Sequence, residues 1–233
     1  MDKISVVIPT WNEEKNIGRC ISYILRQSIK PYEIIVVDKF SKDKTVSIAK
    51  KFGAKVVYSN LPLLGARLLG AKKAKGEWIF FTDADTLLID RRWFEKALII
   101  AKIKNSCFIT GTLKIHGKNL AEKLIFFMWK YIAILLKVFT TKDFYPTPFG
   151  FLIKKEVFEK IKLPTEIWIF EDITLTWLAS KVCKIKRCFS CKSLTSPRRM
   201  RKMGYLNFCI YWVVKFFQFV FKGLIKEKYE AVR

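Results

Sequence analysis

The sequence predicts an α/β protein: a mostly parallel sheet flanked by helices. Three observations lead there. Over the first hundred residues, short apolar runs alternate with stretches of helical period, as strand–helix–strand units do. Each apolar run ends in polar residues. The 233 residues are 51% hydrophobic, which provides for one sizeable core and excludes a mainly disordered chain.

The strands are expected at ISVVIP (4–9), EIIVV (33–37), AKVVY (54–58) and EWIFF (77–81). Between the first two lies EEKNIGRCISYILRQ. It places Ile17, Cys20, Ile21, Ile24 and Leu25 on one helical face, with Asn12 as its expected cap. SKDKTVSIAKKF and LLGARLLGAKKAKG repeat the alternation after the second and third strands. The strand ends carry Thr10, Asn12 and Glu13, then Asp38, Ser41 and Asp43, then Asp83 and Asp85. Carboxyl ends of parallel strands form a ligand crevice, so these residues should converge on one site. A further strand is expected at CFITGTL. Two long apolar stretches follow, LIFFMWKYIAILLKVF (124–139) and LNFCIYWVVKFFQFVFKGLI (206–225). Both are too interrupted by charge to span a membrane cleanly. Lys123, Lys130 and Lys137 recur every seven residues. Asn207, Tyr211, Lys215, Gln218 and Lys222 recur at steps of three and four, which gives a narrow polar stripe on an apolar helix. Such helices lie in a membrane interface or pack on the protein's own sheet. The organisation expected is one domain in two halves (1–115 and 116–200) and a C-terminal amphipathic, membrane-associated helix (201–233).

With 44 Lys and Arg against 20 Asp and Glu, the formal charge is +24. Phosphorylated substrates, anionic headgroups or nucleic acid suit such a surface, as does a merely Lys-rich solvated exterior. The six cysteines are few for a disulfide scaffold, and MDKISVVIP lacks a signal-peptide pattern, so a reducing cytoplasm is expected. Cys183, Cys188 and Cys191 have no second CxxC and His116 is distant, so they are read as structural thiols rather than zinc ligands.

Scarce acids at the end of IFFTDADT call for a function. An Asp-x-Asp at a strand end can hold a divalent cation against a diphosphate, since carboxylates suit Mg²⁺ or Mn²⁺. SVVIPTWNEEKNIGRCI, EIIVVDKFSKDKT and GARLLGAKKAKGEWIFFTDADT together resemble the family 2 glycosyltransferases in order, spacing and residue type over about residues 4–90. The resemblance implies a GT-A fold and a nucleotide-sugar donor. It places Pro9, Thr10 and Trp11 at the base, with Asp38 hydrogen-bonding it and Arg67 flanking it. Asp83 goes to the ribose, Asp85 to the metal and Glu13 to the same pocket. Lys39 and Phe40 stand where the family usually has a small or acidic residue.

WIFEDITLTWLASK resembles the family's Glu-Asp motif. It implies Asp172 as the base for inverting transfer, with Glu171 as the alternative and two helix-start acids as the structural reading. SPRRMRK resembles the basic segment over the diphosphate, with Arg198 and Arg201 on one helical face; a membrane-facing patch fits it as well. TPFGFLIKKEVFEKI resembles the acceptor-side strand and helix. QxxRW is absent, which implies transfer of single sugars. The reading is a metal-dependent transferase at the cytoplasmic membrane face, peripheral or monotopic on an anionic surface. The sequence leaves its acceptor open, with polyprenyl-phosphate and lipid-linked glycans as candidates, and no nucleic-acid partner is expected. The rivals are a nucleotidyltransferase, whose Gly-rich triphosphate loop IPTWNEEKN lacks, and an inactive nucleic-acid or membrane-binding module.

Overall fold

The computed structural model describes residues 2–117, 119–128, 150–161 and 171–222. Seven strands form one sheet in the order β3-β2-β1-β4-β6-β5-β7. The strands are β1 (Ile4–Thr10), β2 (Glu33–Asp38), β3 (Lys55–Tyr58), β4 (Trp78–Phe81), β5 (Phe108–Ile115), β6 (Phe151–Lys154) and β7 (Ile185–Thr195). All pairings are parallel except those of β6, which runs antiparallel to β4 and β5. β1 and β2 are buried along their whole length, as continuous apolar runs should be in a sheet covered on both faces. β3 is the edge, and it exposes Lys55 and Tyr58.

Alternation along β1 divides the core. Ile4, Val6 and Ile8 face α1 (Ile17–Leu25), α2 (Thr45–Lys51) and α4 (Trp93–Ile103). Val7 faces α3 (Leu63–Lys73), α6 (Lys155–Lys160) and α7 (Glu171–Ser180). A helix over residues 120–128 (α5), α8 (Arg198–Met203) and α9 (Tyr205–Lys222) complete the described elements. α3 lies close on the sheet because Gly70 meets Val7 and Val37, where a Cβ would collide. That approach brings Arg67, one turn earlier, under the strand ends.

Two expectations are corrected. α1 starts at Ile17 with Asn16 as its N-cap, not at Asn12. Asn12 instead takes a left-handed backbone (φ 52) and crosses to the next loop, where its Oδ1 accepts from Lys42 N at 2.9 Å. A cross-strand partner has captured the side chain that would have capped the helix. The cysteines are not all free thiols: Cys107 pairs with Cys183, and Cys188 with Cys191, in disulfides. Parallel pairing of Phe108 with Ile185 brings the first pair together just before both strands. The second closes a bulge in β7, where the register jumps from Thr110–Arg187 to Thr112–Lys192. Cys20 and Cys209 remain free.

The apolar stretch 124–139 lies outside the described residues from Trp129 onward, as do Lys130 and Lys137, and 206–225 is described to Lys222. Among the described residues, no helix is long and apolar enough to cross a membrane.

Candidate active site

β1 and β2 end in register at Thr10 and Asp38, and the site begins there. Asp38 is fully buried. Thr10 Oγ1 donates to its Oδ1 at 3.1 Å, Ser41 N to its Oδ2 at 2.7 Å and Ser41 Oγ to Oδ1 at 2.6 Å. Pro9 is buried just before Thr10. Trp11 follows it, half-buried, with Lys39 Nζ 5.1 Å from its ring centroid. Asn12 N donates to Ser41 Oγ at 2.7 Å and Glu13 N to Thr45 Oγ1 at 2.6 Å, so the loops after β1 and β2 are fixed to each other.

β4 delivers the acid pair. Arg67, itself buried, donates from Nη2 to Asp83 Oδ1 at 3.0 Å. Past Asp85, the chain pairs Leu87 with Leu194 in both directions at 2.8 Å. That bridge sets the end of β7 beside the acids and fixes where α8 begins. Arg198, in the first turn of α8, approaches Asp85 Oδ2 with Nε at 3.3 Å. Its Nη1 donates to Glu13 Oε2 at 2.8 Å and its Nη2 pairs with Glu13 Oε1. Asn16 Nδ2 donates to Glu13 Oε2 at 2.7 Å. One guanidinium from α8 thus joins carboxylates from the loops after β1 and β4.

Burial, the neighbouring Asp83 charge and Glu13 push the Asp85 carboxyl up to about 6, against the opposing pull of Arg198 and Arg199. The same surroundings keep Cys20 neutral. Burial first, then Asp85, Asp83 and Glu13, push its thiol far up, and its Sγ lies 3.5 Å from Asp83 O as a donor. A divalent cation would relieve the crowding of negative charge at Asp85. Among the described residues, no group of three or more acids, histidines or cysteines is arranged around a metal position. An ion held by Asp83 and Asp85 would therefore draw the rest of its shell from phosphate and water, as Mg²⁺ commonly does. A cleft of about 90 Å³ opens beside Asp85, lined in part by Asn16, Arg19, His116 and Ser196.

Two sites on the basic and Glu-Asp segments lie apart from this cluster or are only partly described. Arg201 does not join Arg198. Its Nε donates to Glu122 Oε1 at 2.6 Å, and Tyr205 Oη donates to the same oxygen at 3.1 Å. The spacing of three residues gave a shared helical face, but a fully buried carboxylate on α5 competes successfully for the second arginine. Asp172 lies half-buried in the first turn of α7, where its carbonyl accepts from Thr176 Oγ1 at 3.1 Å. Glu122, Asn16 and Thr45 carry no sequence signal, because each gains its role only from partners distant in the chain or hidden by the loop path.

Residues 5–162 match the model of Glycosyl transferase family 2. The chain belongs to that family. Among curated family relatives, it is 31% identical over 172 residues to the poly(ribitol-phosphate) beta-N-acetylglucosaminyltransferase TarP of Staphylococcus aureus, covering 70% of this chain and 52% of TarP. It therefore spans about half the length of that relative. Among solved structures, S. aureus TarS 1-349 in complex with UDP-GlcNAc aligns with a TM-score of 0.64 at 20% identity, over 83% of this chain and 58% of TarS. Glucosyl-3-phosphoglycerate synthase of Mycobacterium tuberculosis, in complex with Mn²⁺, UDP-glucose and phosphoglyceric acid, aligns with a TM-score of 0.63 at 18% identity, over 90% and 77%. These likenesses establish the GT-A fold of family 2.

Proposed function

We propose that the chain transfers a single sugar, with inversion, from a nucleoside diphosphate sugar to an acceptor hydroxyl, and that it requires Mg²⁺ or Mn²⁺. The observation that carries this is the Glu13–Asp83–Asp85 cluster, crossed by Arg67 and Arg198 at the carboxyl ends of β1 and β4. Like charges, buried at Glu13 and half-buried at Asp83 and Asp85, are held by guanidinium groups and make a place for a cation and an anionic leaving group. Asp38 and Thr10 orient the base, with Pro9 and Trp11 beside it. Arg67 fixes Asp83 near the ribose, and Asp85 is the principal cation ligand with Asp83 beside it. The bound cation supplies charge neutralisation to the departing diphosphate. Arg198, with its fork of donors, holds phosphate oxygens. Asp172 accepts the proton of the acceptor hydroxyl at its carboxylate.

UDP sugars are the first donors to test, because the aligned TarS and glucosyl-3-phosphoglycerate synthase complexes contain them. Phosphate-bearing acceptors come first for two reasons. The net charge is +24, and poly(ribitol-phosphate) and phosphoglyceric acid are named with relatives. Lipid-linked glycans also carry phosphate and offer a hydroxyl, whereas a polyprenyl-phosphate would accept at a phosphate oxygen, with no hydroxyl proton for Asp172 to take. We place the chain on the cytoplasmic membrane face. Supporting this, α9 exposes Leu206, Ile210, Val213 and Phe217, and α5 exposes Leu120, Leu124 and Phe127, each set at helical spacing.

The test is release of nucleoside diphosphate from UDP- and GDP-sugars, in Mn²⁺ and in EDTA, with and without phosphate-bearing acceptors. Metal- and acceptor-dependent release is expected. A folded chain that binds donor but never turns it over would reduce the reading to a binding module. Removing residues 206–233 should weaken flotation with anionic liposomes at low salt; undiminished flotation overturns the membrane assignment of α9.

A further inference from the structure

Beside the residues already placed at the base stands an aromatic pair with no role in folding that its surroundings explain. Phe40, two residues past the end of β2, is 53% exposed and has a left-handed backbone, φ 53. Bulky side chains rarely adopt that conformation, and glycine accepts it freely. Its ring stacks on Tyr58, the last residue of β3, with centroids 5.5 Å apart and planes inclined by 23°. Tyr58 is 49% exposed as well. A half-solvated ring on a disfavoured backbone contributes little to the core, so selection for stability alone would favour a small residue here.

The loop nevertheless has a fixed path on both sides of Phe40. Lys39 N donates to Thr10 O at 2.9 Å, Ser41 is bound through N and Oγ to Asp38, and Asn12 reaches Lys42 from the other side. Register places Tyr58 opposite Asp38 and Asp38 opposite Thr10. The three adjacent strand ends therefore carry, side by side, Trp11 with Thr10, Phe40 with Asp38, and Tyr58. Flat apolar faces beside a buried carboxylate match a nucleobase, which offers a π-face for stacking and N–H groups to an acceptor.

We infer that Phe40, backed by Tyr58, is a stacking wall for the base of the donor nucleotide. The inference rests on the donor reading above. Stacking is tolerant of base identity, so the wall supplies affinity for the base while Asp38 and its neighbours discriminate.

Calorimetric titration with Mn²⁺ separates the possibilities. The ligands are the tightest of UDP, GDP, ADP and dTDP, and inorganic pyrophosphate as a probe lacking a base. Phe40→Ala should weaken the nucleotide by roughly 5- to 150-fold, the range that one aromatic stack contributes. Phe40→Gly, which relaxes the backbone and so guards against misfolding, should do the same. Phe40→Trp should restore affinity to within a few fold, and pyrophosphate should bind all variants equally. Unchanged nucleotide affinity in Phe40→Ala and Phe40→Gly overturns the inference and leaves the donor reading standing; a docking patch for another protein would give that result. Equal loss of nucleotide and pyrophosphate overturns it too, since the residue would then be shaping the loop. A wild-type chain that binds none of the nucleotides removes the donor reading and this wall together.

Discussion

The amino and carboxyl ends of the sheet's parallel strands carry carboxylates with opposite fates. At the amino end, Glu33 opens β2 and is satisfied on every side. Ser5 Oγ donates to it at 2.8 Å, Lys75 N at 2.6 Å and Lys55 Nζ at 2.8 Å. Burial raises its proton affinity, but the Lys55 ammonium, the Lys75 amide and the Ser5 hydroxyl outweigh that and hold the carboxyl below its ordinary value of 4.5. At the carboxyl end, burial and the charges of Asp83 and Glu13 prevail at Asp85, and its carboxyl rises to about 6. Glu33 is buried and Asp85 half-buried, each among polar partners; the difference lies in which charges surround them. Glu33 is stabilised by the fold as it stands. Asp85 is less so, and a raised proton affinity of that kind in a cleft marks a candidate functional site.

The comparison breaks most sharply on removal of Asp85. Asp85→Ala should eliminate Mn²⁺-dependent donor binding and turnover while leaving the fold intact, because a cation ligand is lost rather than core packing. Unaltered Mn²⁺-dependent UDP or GDP affinity in the folded variant would refute the metal assignment. Asp172 tests whether a third carboxylate belongs with Asp85 or with Glu33. Asp172→Asn should keep donor affinity and lose about 10² to 10⁴ in transfer rate, the usual contribution of a general base. Transfer at the parent rate would move the role to Glu171 or leave Asp172 as a helix-start residue.

Glu33→Ala probes the satisfied end. It orphans the Ser5 hydroxyl donor and the Lys75 amide, which should cost about 2–4 kcal/mol in urea unfolding. The sign of the pH effect follows from the depressed folded-state value. Glu33 stabilises above its unfolded pKa near 4.5, and that stabilisation fades as pH falls through the lower folded value. The gap between parent and variant should therefore shrink below pH 4.5. A gap that persists unchanged in acid would mean that packing, not the charge, is what Glu33 provides.

How much of this was legible from sequence depends on how local each signal is. β1 to β4 could be read because each is a continuous apolar run closed by polar residues, and the acid pair because it ends β4 in a chain poor in acids. The Glu13–Arg198 contact joins residues 185 positions apart, and no periodicity encodes it. It depends on the Leu87–Leu194 bridge, itself a product of the antiparallel insertion of β6 and the length of β7. The partner of Arg201 was not legible because three-residue spacing describes a helix face and says nothing of Glu122, which lies 79 positions away. Asn12 looked like a cap because its residue type favours one, but the same short amide serves the β2 loop equally well. The cysteine pairing likewise needed the parallel register of β5 and β7.

The smallest effect is the most discriminating. Asp85→Asn removes the charge but keeps the shape, so in EDTA it imitates the protonated acid, which the folded chain holds more tightly than the unfolded one. A folded-state value near 6 against an ordinary 3.8 means that the parent is at no disadvantage below about pH 4 and loses stability as pH rises through 6. Asp85→Asn should therefore be more stable than the parent at pH 7.5, by about 1–2 kcal/mol once the weakened Arg198 contact is allowed for, and equal to it near pH 4. Saturating Mn²⁺ and nucleotide should reverse the order, since a ligand at 100 times its dissociation constant adds roughly 2.7 kcal/mol to the parent alone. Melting curves across pH, in EDTA and in Mn²⁺ with UDP, measure both halves. Glu33→Gln should show neither the gain in EDTA nor the reversal. If Asp85→Asn behaves like Glu33→Gln, then Arg198 already satisfies Asp85 as completely as Lys55 satisfies Glu33, and the two ends of the sheet do not differ in kind.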